Sequence, residues 1–275
     1  MKKAYVIGWP IKHSRSPLIH QYWLKKYNLD GDYQKKAVEP KKLSQFIAGL
    51  KQTACVGCNV TIPHKEQVMN FVTVQDELTK KIGAVNTVFL QDNILYGLNT
   101  DGYGFVSNLE AGVPNLRFND KHCVIIGAGG ATRAIIAVLL AKKVKKITLV
   151  NRTIEKAKNL ATHFGKGVYY KPFDDLNEVI ADADLLVNST SLGMSGQPEL
   201  KINLEKLPKS CIVTDIVYTP LETELLYQAK LRGNPTVDGL GMLLHQAAPG
   251  FKKWFGIFPE ITLELRNLIL EDLGI

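Results

Sequence analysis

The feature that most constrains the fold is a strand, a glycine turn and a helix in direct succession. The apolar run Cys123–Ile126 leads into Gly127-Ala128-Gly129-Gly130, and the helical pattern Ala134–Ala141 follows. Glycine permits the tight turn and lets the backbone approach a pyrophosphate at the helix N-terminus. The third position of the usual G-x-G-x-x-G spacing is Thr132. The strand-turn-helix context, more than the glycines themselves, therefore predicts a dinucleotide-binding turn.

The residues at the end of the next strand indicate which dinucleotide would bind. NAD sites usually carry an acidic residue there, which binds the ribose 2′-hydroxyl. Here Asn151-Arg152-Thr153 follows the predicted strand, with Lys156 one helical turn further on. Arg152 and the hydroxyl of Thr153 would bind a 2′-phosphate, which a carboxylate would repel. The sequence favours NADP; the alternative is a glycine turn without nucleotide and a surface arginine.

Strand and helix patterns alternate along the chain, which predicts an α/β fold with mostly parallel sheets. The predicted strands are 4–8, 33–38, 54–62, 84–90, 94–98, 123–126, 146–150, 167–170, 184–188, 211–216 and 236–237. The helical patterns named before residue 100 are 17–27, 43–50 and 65–71, and those that close the chain are 240–246 and 262–273. Pro249 should end or bend the first of the closing helices.

Composition excludes several classes of protein. Of 275 residues, 45% are hydrophobic and 22% charged, as in globular domains. The longest apolar run, Ala134–Ala141, is far below the roughly 20 residues that span a bilayer, and the N-terminal apolar stretch is too short for a secretory signal. The excess of 34 Lys and Arg over 26 Asp and Glu lies in scattered lysine pairs, which argues against nucleic-acid binding. We expect a cytoplasmic protein.

The four cysteines do not form a recognisable metal motif. Cys55 and Cys58 make a single C-x-x-C, where a zinc ribbon needs two. They lie in a strand-like run, whose alternation would place them on opposite faces. We expect buried, apolar cysteines and no metal site.

Two polar segments of the first hundred residues are candidates for ligand binding. In Ser14-Arg15-Ser16-Pro17, Ser16 is the expected helix N-cap, yet both serine hydroxyls could donate to a carboxylate. Asn59 and Thr61 would share one strand face, and Lys65 would follow in the first turn of a helix. A cation there is disfavoured by about 0.3–1 kcal/mol, which suggests a ligand-facing lysine instead of an ordinary surface lysine.

Together these segments resemble the shikimate dehydrogenase family over essentially the whole chain. The motifs that carry the resemblance are Ser14–Pro17, Asn59–Lys65, Gly83–Thr87, Asn99–Gly102, Gly127–Ala131, Asn151–Thr153 and Asp238–Gln246. The resemblance implies an N-terminal α/β substrate domain with a mostly parallel sheet, residues 1–101, to which the C-terminal helices, 239–275, return. It also implies a Rossmann-type NADP-binding domain, residues 102–238, with the active site between the domains.

The resemblance further implies NADP(H)-dependent interconversion of 3-dehydroshikimate and shikimate by a monomer or homodimer, without nucleic acid or membrane partners. Lys65 would transfer the proton and Asp101 would position it. The implied substrate residues are Ser14, Ser16, Asn59, Thr61, Lys65, Asn86, Asp101, Tyr218 and Gln246. The implied cofactor residues are Glu77, Gly127, Ala128, Gly129, Gly130, Ala131, Asn151, Arg152, Thr153, Lys156, Ile216, Gly239 and Met242.

Two alternatives remain open at this point. A dual quinate/shikimate dehydrogenase would often use NAD, against which Arg152 and Thr153 argue. A non-catalytic metabolite sensor of the same fold would be expected to lack the Lys65/Asp101 pair, which this chain keeps.

Overall fold

The computed structural model describes residues 1–275, which divide into two compact units. The first unit consists of residues 1–104 and 244–275, and the second of residues 105–243. Each unit contains one sheet with helices, so the predicted two-domain α/β class is confirmed. None of the helices combines the length and the apolar character needed to cross a membrane.

The first unit is built on a five-stranded sheet in the order β2-β1-β3-β4-β5. Its strands are β1 (Lys2–Gly8), β2 (Gly31–Ala37), β3 (Cys55–Val60), β4 (Thr87–Gln91) and β5 (Ile94–Leu98). Its helices before the second unit are α1 (Ser16–Lys26), α2 (Leu43–Gly49), α3 (Glu77–Ile82) and the start of α4 (Asp101–Gly112). β1, β2 and β3 are parallel, whereas β4 and β5 form an antiparallel hairpin. The hairpin turn at Asp92 and Asn93 has positive φ at both residues, as tight hairpins require.

The predicted helix at 65–71 is wrong in a way that affects the site. Lys65 lies in a turn, and the short 3₁₀ helix Gln67–Phe71 begins only two residues later. Lys65 therefore does not stand against the dipole of an α-helix, and the helix-based argument for its role fails. Its position has to be explained by its side-chain partners instead.

A bulge in β3 overturns the expected placement of the cysteines. β1 pairs Lys3 with Cys55 but Ala4 with Gly57, so Val56 is an extra residue in β3. The extra residue shifts the alternation, and Cys55 and Cys58 join the same buried cluster. All four cysteines are free and buried, as predicted, and burial raises the pKa of each thiol.

The second unit carries a six-stranded, all-parallel sheet in the order β11-β10-β9-β6-β7-β8. Its strands are β6 (His122–Ile126), β7 (Lys146–Asn151), β8 (Val168–Pro172), β9 (Leu185–Asn188), β10 (Ile212–Asp215) and β11 (Thr236–Val237). Its helices besides the rest of α4 are α5 (Gly130–Ala141), α6 (Ile154–Phe164), α7 (Leu176–Val179) and α8 (Glu224–Leu231). This is the Rossmann strand order, whose direction reverses between β6 and β9 and whose ligands bind beyond the carboxyl ends of the strands there.

The last two helices are α9 (Leu240–Phe255) and α10 (Leu263–Leu273). Pro249 does not end α9, which continues for six residues beyond it. The return of the C-terminal helices to the first unit is confirmed, because Trp254 donates through Nε1 to the Val88 carbonyl in β4 at 2.9 Å. Gly57 makes this contact possible, since a Cβ there would stand 2.3 Å from the indole nitrogen.

His20 lies at the centre of the aromatic core of the first unit. Its ring stacks on Tyr33 at a centroid distance of 4.0 Å and contacts Trp23, Phe251 and Trp254. Burial lowers the pKa of His20 from 6.5 to about 3, and Asn59 opposes this shift only in part. The imidazole is therefore neutral in the folded protein near neutral pH.

The lowered pKa predicts a pH-dependent stability of the first unit. The folded state resists protonation of His20, so stability that is present above pH 6.5 is lost as the pH falls toward 3. Between pH 7 and pH 5 this loss should be about 2 kcal/mol in wild type and absent in His20→Phe. The measurement is urea unfolding followed by tryptophan fluorescence, because all three tryptophans (Trp9, Trp23 and Trp254) belong to this unit. His13→Gln, at an exposed position, should keep the wild-type slope; an equal loss of slope in that variant would contradict the assignment.

Candidate active site

The carboxyl ends of β3 and β5 and the amino end of the antiparallel β4 carry a cluster of polar side chains around Asp101. Lys65 follows β3, Asn86 precedes β4, and Asp101 begins α4 after β5. The Lys65 ammonium is 2.6 Å from Asp101 Oδ2, and Asn86 donates through Nδ2 to Asp101 Oδ1 at 2.7 Å. Asn99 fixes the backbone, since its Oδ1 accepts from the Asp101 N–H at 3.0 Å.

The Lys65–Asp101 pair is largely buried but still accessible to solvent. The Lys65 side chain is 26% exposed and that of Asp101 is 10% exposed. A charge-assisted hydrogen bond in such partly excluded surroundings is stronger than one between exposed groups. The arrangement holds an amine at a defined position, where it can exchange a proton with a ligand.

Asn86 is fixed from both ends of its amide. Its Oδ1 accepts from the Thr100 backbone N–H at 2.9 Å, and its Nδ2 donates to Thr100 Oγ1 and to Asp101. Because the backbone N–H can only donate, this contact settles which end of the amide faces the carboxylate. Asn59 lies behind it and donates through Nδ2 to the Asn86 carbonyl at 3.2 Å.

The two serines at the start of α1 face each other. The predicted N-cap role of Ser16 is wrong: the N-cap is Arg15, and Ser16 is the first helical residue. Instead Ser14 Oγ accepts from the Ser16 backbone N–H at 3.3 Å, and its hydroxyl donates to Ser16 Oγ at 3.2 Å. Arg15 points elsewhere, because it bonds to Asp272 on α10 at 3.0 Å and to the His13 carbonyl.

Three other residues of the first unit, which were expected to contact a ligand, lie on different elements. Thr61 follows the end of β3 and is half-buried, and Gln246 lies half-buried on α9. Glu77 begins α3, where its exposed carboxylate pairs with Lys80 at 2.6 Å. Their proposed ligand contacts stay predictions.

The glycine turn of the second unit has a different constraint at each position. Gly127 has φ +115°, and a Cβ there would stand 2.7 Å from Ser189 Oγ. Gly129 and Gly130 are exposed, and a Cβ on either would project into open space. Ala128 lies half-buried in the same turn, and Ala131 lies half-buried in the first turn of α5. The open side of the turn can thus accept a ligand that approaches the backbone closely.

Thr132 occupies the position of the third glycine in the usual G-x-G-x-x-G spacing, and its contacts explain why a glycine is not needed there. Its side chain is fully buried, and its Oγ1 accepts from the Gly129 N–H at 3.0 Å. The same oxygen lies 2.8 Å from Ser189 Oγ, which donates to the Ile126 carbonyl. The threonine therefore ties the turn to β6 and to the residue after β9.

The end of β7 presents polar groups of the expected kind. Asn151 donates through Nδ2 to the Thr153 carbonyl at 2.8 Å, and Thr153 is the N-cap of α6. Arg152 and Lys156 are exposed. Two cations at the start of this helix form a donor set suited to a phosphate group.

The sequence analysis missed a buried carboxylate, Asp215, at the end of β10. Its oxygens accept from Asn188 Nδ2 at 3.0 Å, the Val217 N–H at 2.9 Å and the Thr223 hydroxyl at 2.8 Å. Burial raises the pKa of Asp215, and the three hydrogen bonds oppose the rise. The available signal was an acidic residue within a largely apolar predicted strand.

Asp215 anchors the loop that carries Ile216 and Tyr218. Gly239 packs against this loop, since a Cβ there would stand 2.5 Å from the Ile216 carbonyl oxygen. Met242 is half-buried on α9. The structure therefore brings Ile216 and Gly239 together within the second unit, and their proposed cofactor contacts stay predictions.

Asp215→Ala should destabilise the protein. It removes the acceptor of buried donors, each of which costs about 1–3 kcal/mol when left unpaired, so we expect a loss of about 2–4 kcal/mol. Urea unfolding followed by circular dichroism measures it. Asp174→Ala, at an exposed position of the same unit, should change stability by less than about 0.5 kcal/mol, and equal effects of the two variants would refute the anchoring role.

The fold and these clusters define a two-domain α/β protein of the dinucleotide-binding class. Comparison with known proteins gives the family. The profile described as shikimate dehydrogenase substrate binding domain matches residues 6–88, and that described as shikimate / quinate 5-dehydrogenase matches residues 110–218. The shikimate dehydrogenase (NADP(+)) of Brucella abortus (strain S19) is 48% identical over 99% of this chain and 95% of its own. The chain belongs to the shikimate dehydrogenase family.

Solved structures agree with the fold. A crystal structure of a shikimate dehydrogenase in complex with NADP+ has a TM-score of 0.89 at 38% identity, covering 99% of this chain and 96% of that one. The quinate dehydrogenase from Corynebacterium glutamicum in complex with NAD has a TM-score of 0.90 at 29% identity, covering 98% and 99%. The fold alone thus does not separate the two substrates or the two cofactors.

Proposed function

We propose that the chain is an NADP-dependent shikimate dehydrogenase, which reversibly reduces 3-dehydroshikimate to shikimate. The observation that carries the proposal is the 2.6 Å contact between Lys65 and Asp101, with Asn86 on the second carboxylate oxygen. The 48% identity to a shikimate dehydrogenase (NADP(+)) over nearly the whole chain supports both the substrate and the cofactor.

Substrate recognition is assigned to polar side chains that the family resemblance names. Ser14 and Ser16 offer two neighbouring hydroxyls to the shikimate carboxylate, together with Tyr218. Thr61, Asn86, Asp101 and Gln246 hold the ring hydroxyls. These groups match a ligand with one anionic end and several hydroxyls, because they combine neutral donors with one charged pair.

The glycine turn and the end of β7 fit NADP(H). A ligand can approach Gly129 and Gly130 because nothing occupies the space that a Cβ would take. Arg152, Lys156, Asn151 and Thr153 would hold the 2′-phosphate, and Ile216, Gly239 and Met242 would hold the nicotinamide, with Glu77 as a further contact. When bound, this cofactor would supply the acceptor for the hydride of the alcohol carbon in oxidation and the hydride donor in reduction.

The proton is handled by the chain itself. In oxidation, the hydroxyl proton of shikimate passes to an unprotonated Lys65 Nζ as the C–H bond breaks; in reduction, the Lys65 ammonium returns it to the carbonyl oxygen. Asp101 orients Lys65 and accepts a hydrogen bond from the substrate hydroxyl. Asn86 keeps the carboxylate in place through its contact with Oδ1.

A dual quinate/shikimate dehydrogenase using NAD is the second candidate, favoured by the similarity to the quinate dehydrogenase structure with NAD. Arg152 at the end of β7 argues against the NAD preference. The sensor alternative is weakened by the intact pairing of Lys65 with Asp101.

We also place the reaction in the cytoplasm. Four free, buried cysteines fit a reducing compartment, where structural disulfides are rare. The state of assembly, monomer or homodimer, stays a prediction.

Incubating the purified protein with 3-dehydroshikimate and NADPH tests the reaction. Shikimate should form in a one-to-one ratio with the NADPH consumed, as measured by chromatography and nicotinamide absorbance. NADPH oxidation without shikimate, or no oxidation at all, would overturn the proposal. Lys65→Ala serves as the matched control for background oxidation.

A further inference from the structure

His64, the residue directly before Lys65, is attached to the core of the first unit through its ring. His64 is 0% exposed, whereas the Lys65 side chain is 26% exposed. His64 Nε2 lies 2.7 Å from the carbonyl oxygen of Val38, the residue that follows β2. The two consecutive side chains thus have different surroundings, because His64 contacts Val38 and Lys65 contacts Asp101.

The direction of the His64 hydrogen bond follows from its acceptor. A carbonyl oxygen can only accept, so Nε2 carries a proton and donates it to the Val38 carbonyl. His64 Nδ1 is buried and has no hydrogen-bond partner. The Val38 carbonyl is therefore the polar group that holds the His64 ring in place.

Solvent cannot replace this hydrogen bond, because both of its partners are buried. Val38 is 4% exposed and belongs to the same apolar cluster as Val60, Val68 and Val85. A buried carbonyl that loses its donor keeps the full penalty of its burial. Loss of the His64 donor should therefore loosen the attachment of the turn to the core.

Two backbone hydrogen bonds complete the attachment of the turn. The His64 N–H donates to the Thr61 carbonyl at 2.9 Å, which closes the turn after β3. The Lys65 carbonyl accepts from the Val85 N–H at 2.8 Å, next to Asn86. The backbone of Lys65 is thus held on both sides, by the His64 ring before it and by its own carbonyl.

We infer that His64 is a positioning residue for Lys65. Its bond to the Val38 carbonyl fixes the turn from which the Lys65 ammonium reaches Asp101 Oδ2 at 2.6 Å. A displacement of about 1 Å at a reacting group can cost about 100-fold in rate, so an anchor next to Lys65 acts on kcat. The inference rests on the proposed function, because that function assigns the proton transfer to Lys65.

His64→Phe tests the inference, since it keeps a ring and removes the donor. We expect kcat for shikimate oxidation to fall about tenfold, expressed per folded protein as measured by circular dichroism. The KM for NADP+ should change by less than about twofold, because the glycine turn and the end of β7 are untouched. His64→Met removes the same donor with a flexible side chain and serves as a second variant if His64→Phe does not fold.

His64→Gln is the rescuing variant. Its side-chain amide can donate to the Val38 carbonyl, so kcat should stay within about threefold of wild type. A kcat of His64→Gln as low as that of His64→Phe would show that the hydrogen bond is not what matters.

His122→Phe is the matched control for the loss of a buried histidine. His122 is 6% exposed, and its Nε2 lies 2.8 Å from Thr148 Oγ1. It begins β6, at the opposite end of that strand from the glycine turn. The variant should be less stable but should keep kcat within about twofold, and a tenfold fall would contradict the special role of His64.

Coupling to Lys65 separates positioning from a merely structural role. In a Lys65→Ala background, His64→Phe should lower the residual kcat by less than about twofold, since the group through which it acts is already gone. A tenfold fall in both backgrounds, or an unchanged kcat in the single variant, would overturn the inference.

Acetylation of lysines reports the position of Lys65 independently of turnover. In wild type, the contact with Asp101 limits the access of N-acetoxysuccinimide to Lys65 Nζ. A turn without its anchor frees this amine more often, so His64→Phe should acetylate Lys65 about three- to fivefold faster, as measured by peptide mass spectrometry. Lys51, which is exposed in the same unit, should react equally fast in both proteins.

The acetylation rates also distinguish this inference from the proposed function. If wild type does not turn over shikimate, the proposed function fails, and faster acetylation of Lys65 in His64→Phe still supports the positioning role. Equal rates at Lys65 in wild type and in His64→Phe contradict the positioning role, whatever the turnover.

Discussion

Lys65→Ala is expected to lower kcat for shikimate oxidation by about 10²- to 10⁴-fold, the usual contribution of a positioned acid–base group. The alanine removes the only atom proposed to exchange a proton with the substrate hydroxyl, and Asp101 loses its 2.6 Å partner. The KM for NADP+ should change by less than about twofold, because the proposed nucleotide residues belong to the second unit. Steady-state kinetics with nicotinamide absorbance measures both constants.

Lys51→Ala is the matched control. Lys51 is an exposed lysine of the same unit, in the 3₁₀ turn after α2, and its replacement should leave kcat unchanged. Near-normal turnover of Lys65→Ala would remove Lys65 from the mechanism. Asp101→Asn should lose less activity, since an amide keeps one acceptor toward Lys65 and the substrate but not the charge.

Arg152→Ala is expected to raise the KM for NADP+ by about 10- to 100-fold, the value of one or two hydrogen bonds between charged groups. The KM for NAD+ should stay constant, because that cofactor lacks the 2′-phosphate. Cofactor preference, the ratio of kcat/KM for NADP+ to that for NAD+, therefore falls by the same factor. Initial rates with each cofactor at saturating shikimate give the ratio.

Arg117→Ala provides the comparison, since Arg117 is an exposed arginine of the same unit away from β7. Arg117→Ala should leave the KM for NADP+ and the KM for NAD+ unchanged. If Arg152→Ala raises the KM for NAD+ as much as the KM for NADP+, Arg152 attracts both cofactors through its charge alone. Its assignment to the 2′-phosphate is then wrong. If neither cofactor is affected, Lys156 is the remaining cation of the set and is the next residue to replace.

Sequence patterns predicted most of the second unit because its signals are local. The apolar strand, the glycine turn and the helix follow one another in about twenty residues, and the Rossmann strand order then follows from right-handed crossovers. The predicted strands 84–90 and 94–98, which the structure joins in a hairpin at Asp92 and Asn93, follow one another just as closely. Ile216 and Gly239 were named only through the family resemblance, since their contact depends on tertiary packing.

Errors arose where one residue changed the local geometry or where tertiary contacts outweighed local preference. The bulge at Val56 moved Cys58 to the face of Cys55, which strict alternation cannot foresee. Lys65 was expected on a helix from the helical pattern at 65–71, whereas its place is set by Asp101, 36 residues away. Asp215 carried no motif, and only the folded chain shows which donors surround it.

Initial rates of nicotinamide reduction with shikimate or quinate, each with NADP+ or NAD+, test the central claim most directly. The account predicts that kcat/KM for shikimate with NADP+ exceeds the other three values by at least about tenfold. Comparable rates with quinate or with NAD+ would place the chain with the dual enzymes and contradict the role given to Arg152. No turnover in any combination would contradict the proposed activity itself.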